Sequence, residues 1–306
     1  MTNLVLYIVT VLVWGSSWIA IKFQLGDVPA QVSIAYRFFL SSLFLYVFCR
    51  LSGRQIRFRL RDHLYIFLQG LLLFSFNYFL IYWSSAHLTS GLVSVVFSLV
   101  VIFNIIGSRL FFGTPVTIRI ALGAALGLSG IAAIFGPEIQ TFDLSGGSVQ
   151  GLLLGLGGTI CASGGMLTSG ELQKRKLPVI ETTTLAMFYG AIVMAALNVA
   201  VGNSFVFDFS APYILSLLFL TVFASIIGFG CYLTLLGRIG AARAGYATIL
   251  FPVVALTLST LFEGFAWSSE SLVGVGLVLV GNVFILFKAA SGMKSGHRNG
   301  RAKKLV

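Results

Sequence analysis

Arg37 and Lys22 are two of the twenty basic residues in this chain, and both fall inside long apolar stretches. At 1.5 Å of rise per residue, Arg37 sits roughly 9 Å below the start of its stretch if that stretch is helical. A charge at the centre of a membrane helix costs ~2.5–3.5 kcal/mol on insertion scales, so such a group usually faces a bundle interior or an aqueous cavity. There its guanidinium can hold a carboxylate through two parallel hydrogen bonds. The structural alternative is an outward snorkel or a bond to helix-end carbonyls. Asp27 and Glu263 are the acids that the sequence places nearest to it. Lys22 lies about 27 Å along its own helix, where its stem reaches the outer interface at little cost. An interfacial anchor and a role in gating both remain open for it.

The first stretch carries "WGSSWIAIK" (14–22). Trp14, Trp18 and Lys22 recur every four residues and share one helical stripe, with Ser17 beside it. Ser16 and Ser17 fall ~18–20 Å from Leu4 by helical rise, close to a bilayer midplane. Interfacial tryptophan belongs at membrane edges, yet Trp14 is placed well inside. Asn77, Tyr78, Tyr82 and Ser98 add neutral hydrogen-bonding groups to the first half of the chain, as Ser225, Tyr232 and Tyr246 do to the second. Any one of them serves equally as a bond between helices. Together they describe a cavity that is polar, aromatic and nearly uncharged. The candidate substrate contacts are therefore Trp14, Ser17, Trp18, Arg37, Asn77, Tyr78, Tyr82, Ser98, Tyr232 and Tyr246. Lys22, Glu263 and Pro252 are candidates for coupling or gating, since Pro252 removes one backbone bond and predicts a bend.

Enzyme signatures are missing from the sequence: there is no Walker loop, no H-E-x-x-H and no G-x-S-x-G. The histidines, His63, His87 and His297, are scattered. Cys49, Cys161 and Cys231 form no disulfide framework and read as small packing residues. No metal or cofactor is expected.

The elements that must position these residues follow from composition. Of 306 residues, 58% are hydrophobic and 9% charged, against about 25% charged in soluble domains. Lipid is the expected solvent. Windows of about 20 apolar residues, the length that crosses the hydrocarbon core, number ten. They run near 4–23, 31–50, 63–83, 89–112, 117–136, 148–170, 180–201, 212–235, 241–262 and 270–289. The first lacks the basic flank and cleavage site of a signal peptide and reads as a retained helix. Apart from Lys22 and Arg37, every Lys and Arg falls in a loop or tail on one side of this ten-span arrangement. The positive-inside rule then predicts both termini in the cytoplasm of a bacterial inner membrane. The net charge of +11 is read as topology, so no nucleic-acid partner is expected.

The chain also repeats itself. "RLFFG" (109–113) faces "TLFEG" (260–264), and "LGAALGLSG" (122–130) faces "VGVGLVLVG" (273–281), which pairs Gly113, Gly123 and Gly130 with Gly264, Gly274 and Gly281. Five spans per half is an odd number, so the second half must enter the membrane inverted. The expected fold is an all-α membrane protein of ten transmembrane helices in two inverted five-helix repeats. The predicted divisions are 1–136, an outer linker 137–147, 148–289 and a basic cytoplasmic tail 290–306. Inverted repeats are an architecture of transporters that keep their site near the midplane.

"WGSSWIAIK", "YRFF" (36–39) and "SGLVSVVFSLVVIFN" (90–104) resemble the drug/metabolite transporter superfamily, EamA type. In the second half, "ASIIGFGCYLTLLGRIGAARAGYATILFPVVALTLSTLFEG" (224–264) and "VGLVLVGN" (275–282) resemble it too. The resemblance implies ten helices around a central cavity and the export of amino acids, metabolites or drugs. This chain departs from the family pattern in helix 4, which has Leu99-Val100 where relatives often carry Pro, and Gly113-Thr114 in place of Gly-Glu. A coupling role for a helix-4 acid therefore does not carry over. The expected function is secondary transport, exporting amino acids or related small amphipathic metabolites by alternating access. Multidrug efflux and a passive channel are the alternatives. Expected partners are a small-molecule substrate and the bilayer, with a monomer as the unit.

Overall fold

A computed structural model describes residues 2–113, 115–140, 147–239 and 246–286. Among them there are helices and no strands. Helix α1 (Asn3–Lys22) starts where the Thr2 hydroxyl accepts from the Val5 amide, and α2 (Ala30–Leu51) starts after Pro29. The third rod is composite, with α3 (Leu60–Leu71), a π-helical turn (Leu72–Phe76) and α4 (Asn77–His87). The fourth, α5 (Ser90–Ser98) and α6 (Val100–Phe112), is interrupted at Leu99. Then come α7 (Ile118–Gln140), α8 (Gly147–Lys174) and α9 (Val179–Ala200). A second composite rod follows, with α10 (Ala211–Leu218), a π-helical turn (Phe219–Ile227) and α11 (Gly228–Ile239). The last two are α12 (Tyr246–Phe262) and α13 (Ser269–Leu286).

Seven of these rods are long and apolar enough to cross a membrane. The apolar stretches Ala121–Ile134, Leu250–Phe262 and Ser269–Phe284 are shorter among the described residues. The outer surface is greasy, with Leu110, Phe111, Leu153 and Leu272 exposed, while Ser33, Ser41, Thr159, Asn198 and Ser225 are buried. Inside, hydroxyls bond the preceding turn of their own helix: Thr10 to the Leu6 carbonyl, Thr159 to Gly155 and Thr184 to Ile180. Such back-bonding satisfies the hydroxyl locally where lipid offers no partner.

Packing is symmetric under exchange of the two halves. Helix α2 packs on α9, and α7 on α13. The first composite rod packs on α8, and the second on α1; α12 packs on α1, as α6 does on α8. The matched glycines make the relation sharp. A methyl group at Gly130 would stand 2.5 Å from the Gly274 carbonyl oxygen, and one at Gly281 would stand 2.6 Å from that of Gly123. Exchanging each glycine for its repeat mate turns one contact into the other. As one index rises the other falls, so α7 and α13 run antiparallel, as a two-fold axis in the membrane plane requires. Gly113 (φ 68°) and Gly264 (φ 66°), the ends of the two matched pentapeptides, share the left-handed conformation that terminates a helix.

Helical structure continues through Pro252, since neighbouring groups in a bundle can tolerate a missing amide. Departures from α-helical pairing fall at Leu99 and at the two π-helical turns, none of which contains proline.

Gly130→Ala is expected to lower the thermal midpoint of the detergent-solubilised protein, since overpacking costs ~1–3 kcal/mol. Gly276→Ala, where nothing lies within 4 Å of the new methyl group, should leave it unchanged or raise it. Equal midpoints for the two variants would refute the close α7–α13 contact.

Candidate functional site

Arg37 is 1% exposed and so lies in the interior of the bundle. From α2 its Nε donates to the Ser225 hydroxyl at 3.2 Å, and Nη2 to the Tyr78 hydroxyl at 3.4 Å. The guanidinium carbon lies 4.4 Å from the Tyr78 ring centre and 4.9 Å from that of Phe38. A desolvated cation over an aromatic face gains ~2 kcal/mol, which together with the two hydrogen bonds offsets much of the insertion cost. Nη1 has no partner.

The expected acids are not beside it. Among the described residues no carboxylate pairs with Arg37; Glu263 is 3.8 Å from Lys22 instead. Both Glu263 oxygens also accept from the Ser90 amide, at 3.1 and 2.9 Å, and one accepts from the Ser90 hydroxyl. Ser90 opens α5, and a helix N-terminus favours a carboxylate. That attraction and Lys22 hold Glu263 at the end of the bundle opposite the chain's start. The corresponding contact at the other end is different in kind: Lys174, the last residue of α8, places its ammonium 3.5 Å over the ring of Phe112, the repeat mate of Glu263.

Tyr78 and Tyr82 lie one turn apart on α4. Tyr82 is fully buried, and its hydroxyl donates to the Gln24 side-chain oxygen at 2.5 Å. Gln24, at 1% exposure, is a site residue that the sequence concealed, because it lies just past the first apolar window and reads there as loop. Asn77 bonds the Leu73 carbonyl of its own rod.

The tryptophan stripe divides. Trp14 donates its indole N–H to the Ala224 carbonyl at 2.9 Å and packs among Phe229, Tyr232 and Phe251. It needs Gly228 beneath it, since a methyl group there would stand 2.2 Å from the indole nitrogen. Trp18 turns to Phe97 of α5, with ring centres 5.0 Å apart, and its N–H is unpartnered. The Ser17 hydroxyl bonds the Trp14 carbonyl of its own helix. Ala224 and Ser225 are consecutive in the second π-helical turn. In such a turn the bonds widen to five residues, and Ser225 follows suit by donating to the Leu220 carbonyl. Helices α1 and α2 of the first half thus meet the second half at two adjacent residues.

Ser98 is engaged by Asn282 of α13 at 3.1 Å, and joins those helices. The side chain of Tyr246 lies outside the described residues. A cavity of about 460 Å³ opens elsewhere, among Asp27, Gln31, Phe79, Trp83 and Asn203. None of the candidate residues lines it.

Trp14→Phe keeps an aromatic ring but loses the N–H and part of the indole's packing, and should cost at least ~1 kcal/mol in thermal unfolding, the value of one hydrogen bond. Ser17→Ala, which severs only a bond within α1, should cost less than half of that. The reverse order would show that the indole bond does not join the halves.

Comparison with known proteins adds the following. The profile of the EamA-like transporter family matches residues 1–136 and 149–287. Protein PagO of Salmonella typhimurium is 22% identical over 277 residues, covering 90% of each chain. The uncharacterized transporter YoaV of Bacillus subtilis is 24% identical, over 84% of this chain and 87% of its own. The uncharacterized inner membrane transporter YedA of Escherichia coli is 26% identical, over 90% and 87%. A solved crystal structure superposes with a TM-score of 0.67 at 14% identity, covering 93% of this chain and 97% of the other, which shows a shared fold.

Proposed function

Since the chain belongs to the EamA-like transporter family, we propose that it is a secondary transporter which exports small amphipathic metabolites, amino acids among them, by alternating access. It is a multi-pass membrane transporter and not an enzyme. Two five-helix halves, 1–136 and 148–289, would rock about the seam between them, with 137–147 linking them on the outside. The basic tail 290–306 and the N-terminus would lie in the cytoplasm, beneath a bacterial inner membrane like that named for YedA.

The observation that carries this reading is Arg37, a charge held at the meeting of the halves with aromatic faces around it and, among the described residues, no carboxylate against it. A guanidinium so placed takes an anionic group of the substrate, and Trp18, Phe38 and Phe97 offer the apolar body a surface. Burial of Arg37 and Tyr82 fits a carrier closed at its centre, and disfavours a passive channel with a continuous polar path. The cluster of Trp14, Phe229, Tyr232 and Phe251 favours efflux of aromatic drugs as a second reading.

In reconstituted vesicles, Arg37→Ala should reduce flux of an identified substrate at least tenfold, corresponding to about 1.4 kcal/mol. Unchanged flux for every substrate would remove Arg37 from the mechanism. The carboxylate of Glu263 sits at a bundle end, where Lys22 and Ser90 hold it, and among the described residues no acid lies at mid-span to relay a proton. An imposed pH gradient is therefore expected to leave flux unchanged. Proton-driven accumulation that disappears in Glu263→Gln would instead assign coupling to that clamp.

A further inference from the structure

Three buried side chains each keep a donor without a hydrogen-bond partner among the described residues: Trp18 Nε1, Gln24 Nε2 and Arg37 Nη1. Arg37 alone of the three carries a charge. It reaches Tyr78 on the third rod and lies close enough to Tyr82, one turn away, for a hydrogen-bonding contact, while Tyr82 itself donates to Gln24. A buried donor left unpaired is costly, and one on a cation favours an acceptor with negative charge.

The placement of the acids makes this preference selective. The chain has nine acidic residues. Among the described ones, Asp62 and Glu171 meet Arg175, Glu181 meets Arg54, and Glu263 meets Lys22. Asp208 bonds Ser210 in a loop, Glu270 stands in the first turn of α13, and Asp27 lies between α1 and α2. No described carboxylate is placed beside Arg37 to receive the ammonium of a bound zwitterion. A buried charge without a partner is strongly disfavoured.

We propose that the preferred substrate is a net anion, an amphipathic monocarboxylate with an aromatic or aliphatic body and no free ammonium, seated with its carboxylate against Arg37. This deepens the transporter reading above and rests on it. It separates organic acids, and metabolites whose amine is masked, from the amino acids themselves. The carboxylate supplies the counter-charge that the protein omits, so the loaded centre is neutral and the empty one carries a positive charge.

Three probes that share a body and differ in charge test this: N-acetylphenylalanine, an anion; phenylalanine, a zwitterion; and phenylalaninamide, a cation. Binding to the purified full-length protein is read by tryptophan fluorescence and thermal shift, and flux by vesicle filtration against protein-free liposomes. N-acetylphenylalanine should bind at least tenfold more tightly than the other two. Arg37→Gln should erase that preference, and Arg37→Lys should keep its sign with weaker affinity. If Arg37→Gln does not purify as a folded protein, the ranking on the unaltered chain decides. Equal or tighter binding of phenylalanine or its amide overturns the proposal, as does binding of none of the three or a preference that survives Arg37→Gln. The two readings fail separately. Anion-selective binding without flux would defeat transport and leave the site standing, whereas flux of phenylalanine without charge preference would do the opposite.

Discussion

Hydrocarbon neither donates nor accepts a hydrogen bond, so each departure from α-helical pairing in this fold must be met by another protein group. The second π-helical turn is such a departure, and its partners come from the other half of the chain. Trp14 takes the Ala224 carbonyl, and Arg37 takes the Ser225 hydroxyl. The irregular turn and the first half stabilise each other: the turn offers the Ala224 carbonyl and the Ser225 hydroxyl, and Trp14 and Arg37 need acceptors that lipid does not provide. Any relative motion of the halves must remake these bonds.

The opposite kind of contact joins α7 to α13. There Gly123, Gly130, Gly274 and Gly281 bring two backbones together with no space for a side chain. Backbone packed on backbone has few alternative arrangements, whereas the side chains at the Arg37 junction can rotate to new partners. The bundle therefore combines a stiff seam with an adaptable centre, which a carrier exposing one site to two faces requires.

Much of this was legible in the residues. The spacing of glycines in "LGAALGLSG" and "VGVGLVLVG" carried the two-fold relation because close approach admits glycine alone. Arg37 stood out because its depth is costly unless a polar interior receives it. Other features left no such mark. "LLFSF" and "FLTVFASII" have the composition of any apolar helix, and their wider turns depend on tertiary partners. Leu99 interrupts its rod without a proline, while Pro252 does not interrupt its own, since local propensity yields to packing in a bundle. The two tryptophans of one stripe face different neighbours because a stripe fixes direction only to within a quadrant. The sequence places Asp27 and Glu263 on the side of Arg37 but says nothing of distance, and a helix N-terminus with Lys22 holds the second.

The clamp of Lys22, Glu263 and Ser90 has a counterpart in Lys174 over Phe112, and the two are unlike in what holds them. The first is an ion pair 3.8 Å long, reinforced by the amide and hydroxyl of Ser90. The second is an ammonium resting on a phenyl ring, with no carboxylate in the contact. Closures of different chemistry at the two ends give the protein a built-in polarity: one mouth is fastened by opposite charges and directed hydrogen bonds, while the other is fastened by the fit of a cation to a ring face.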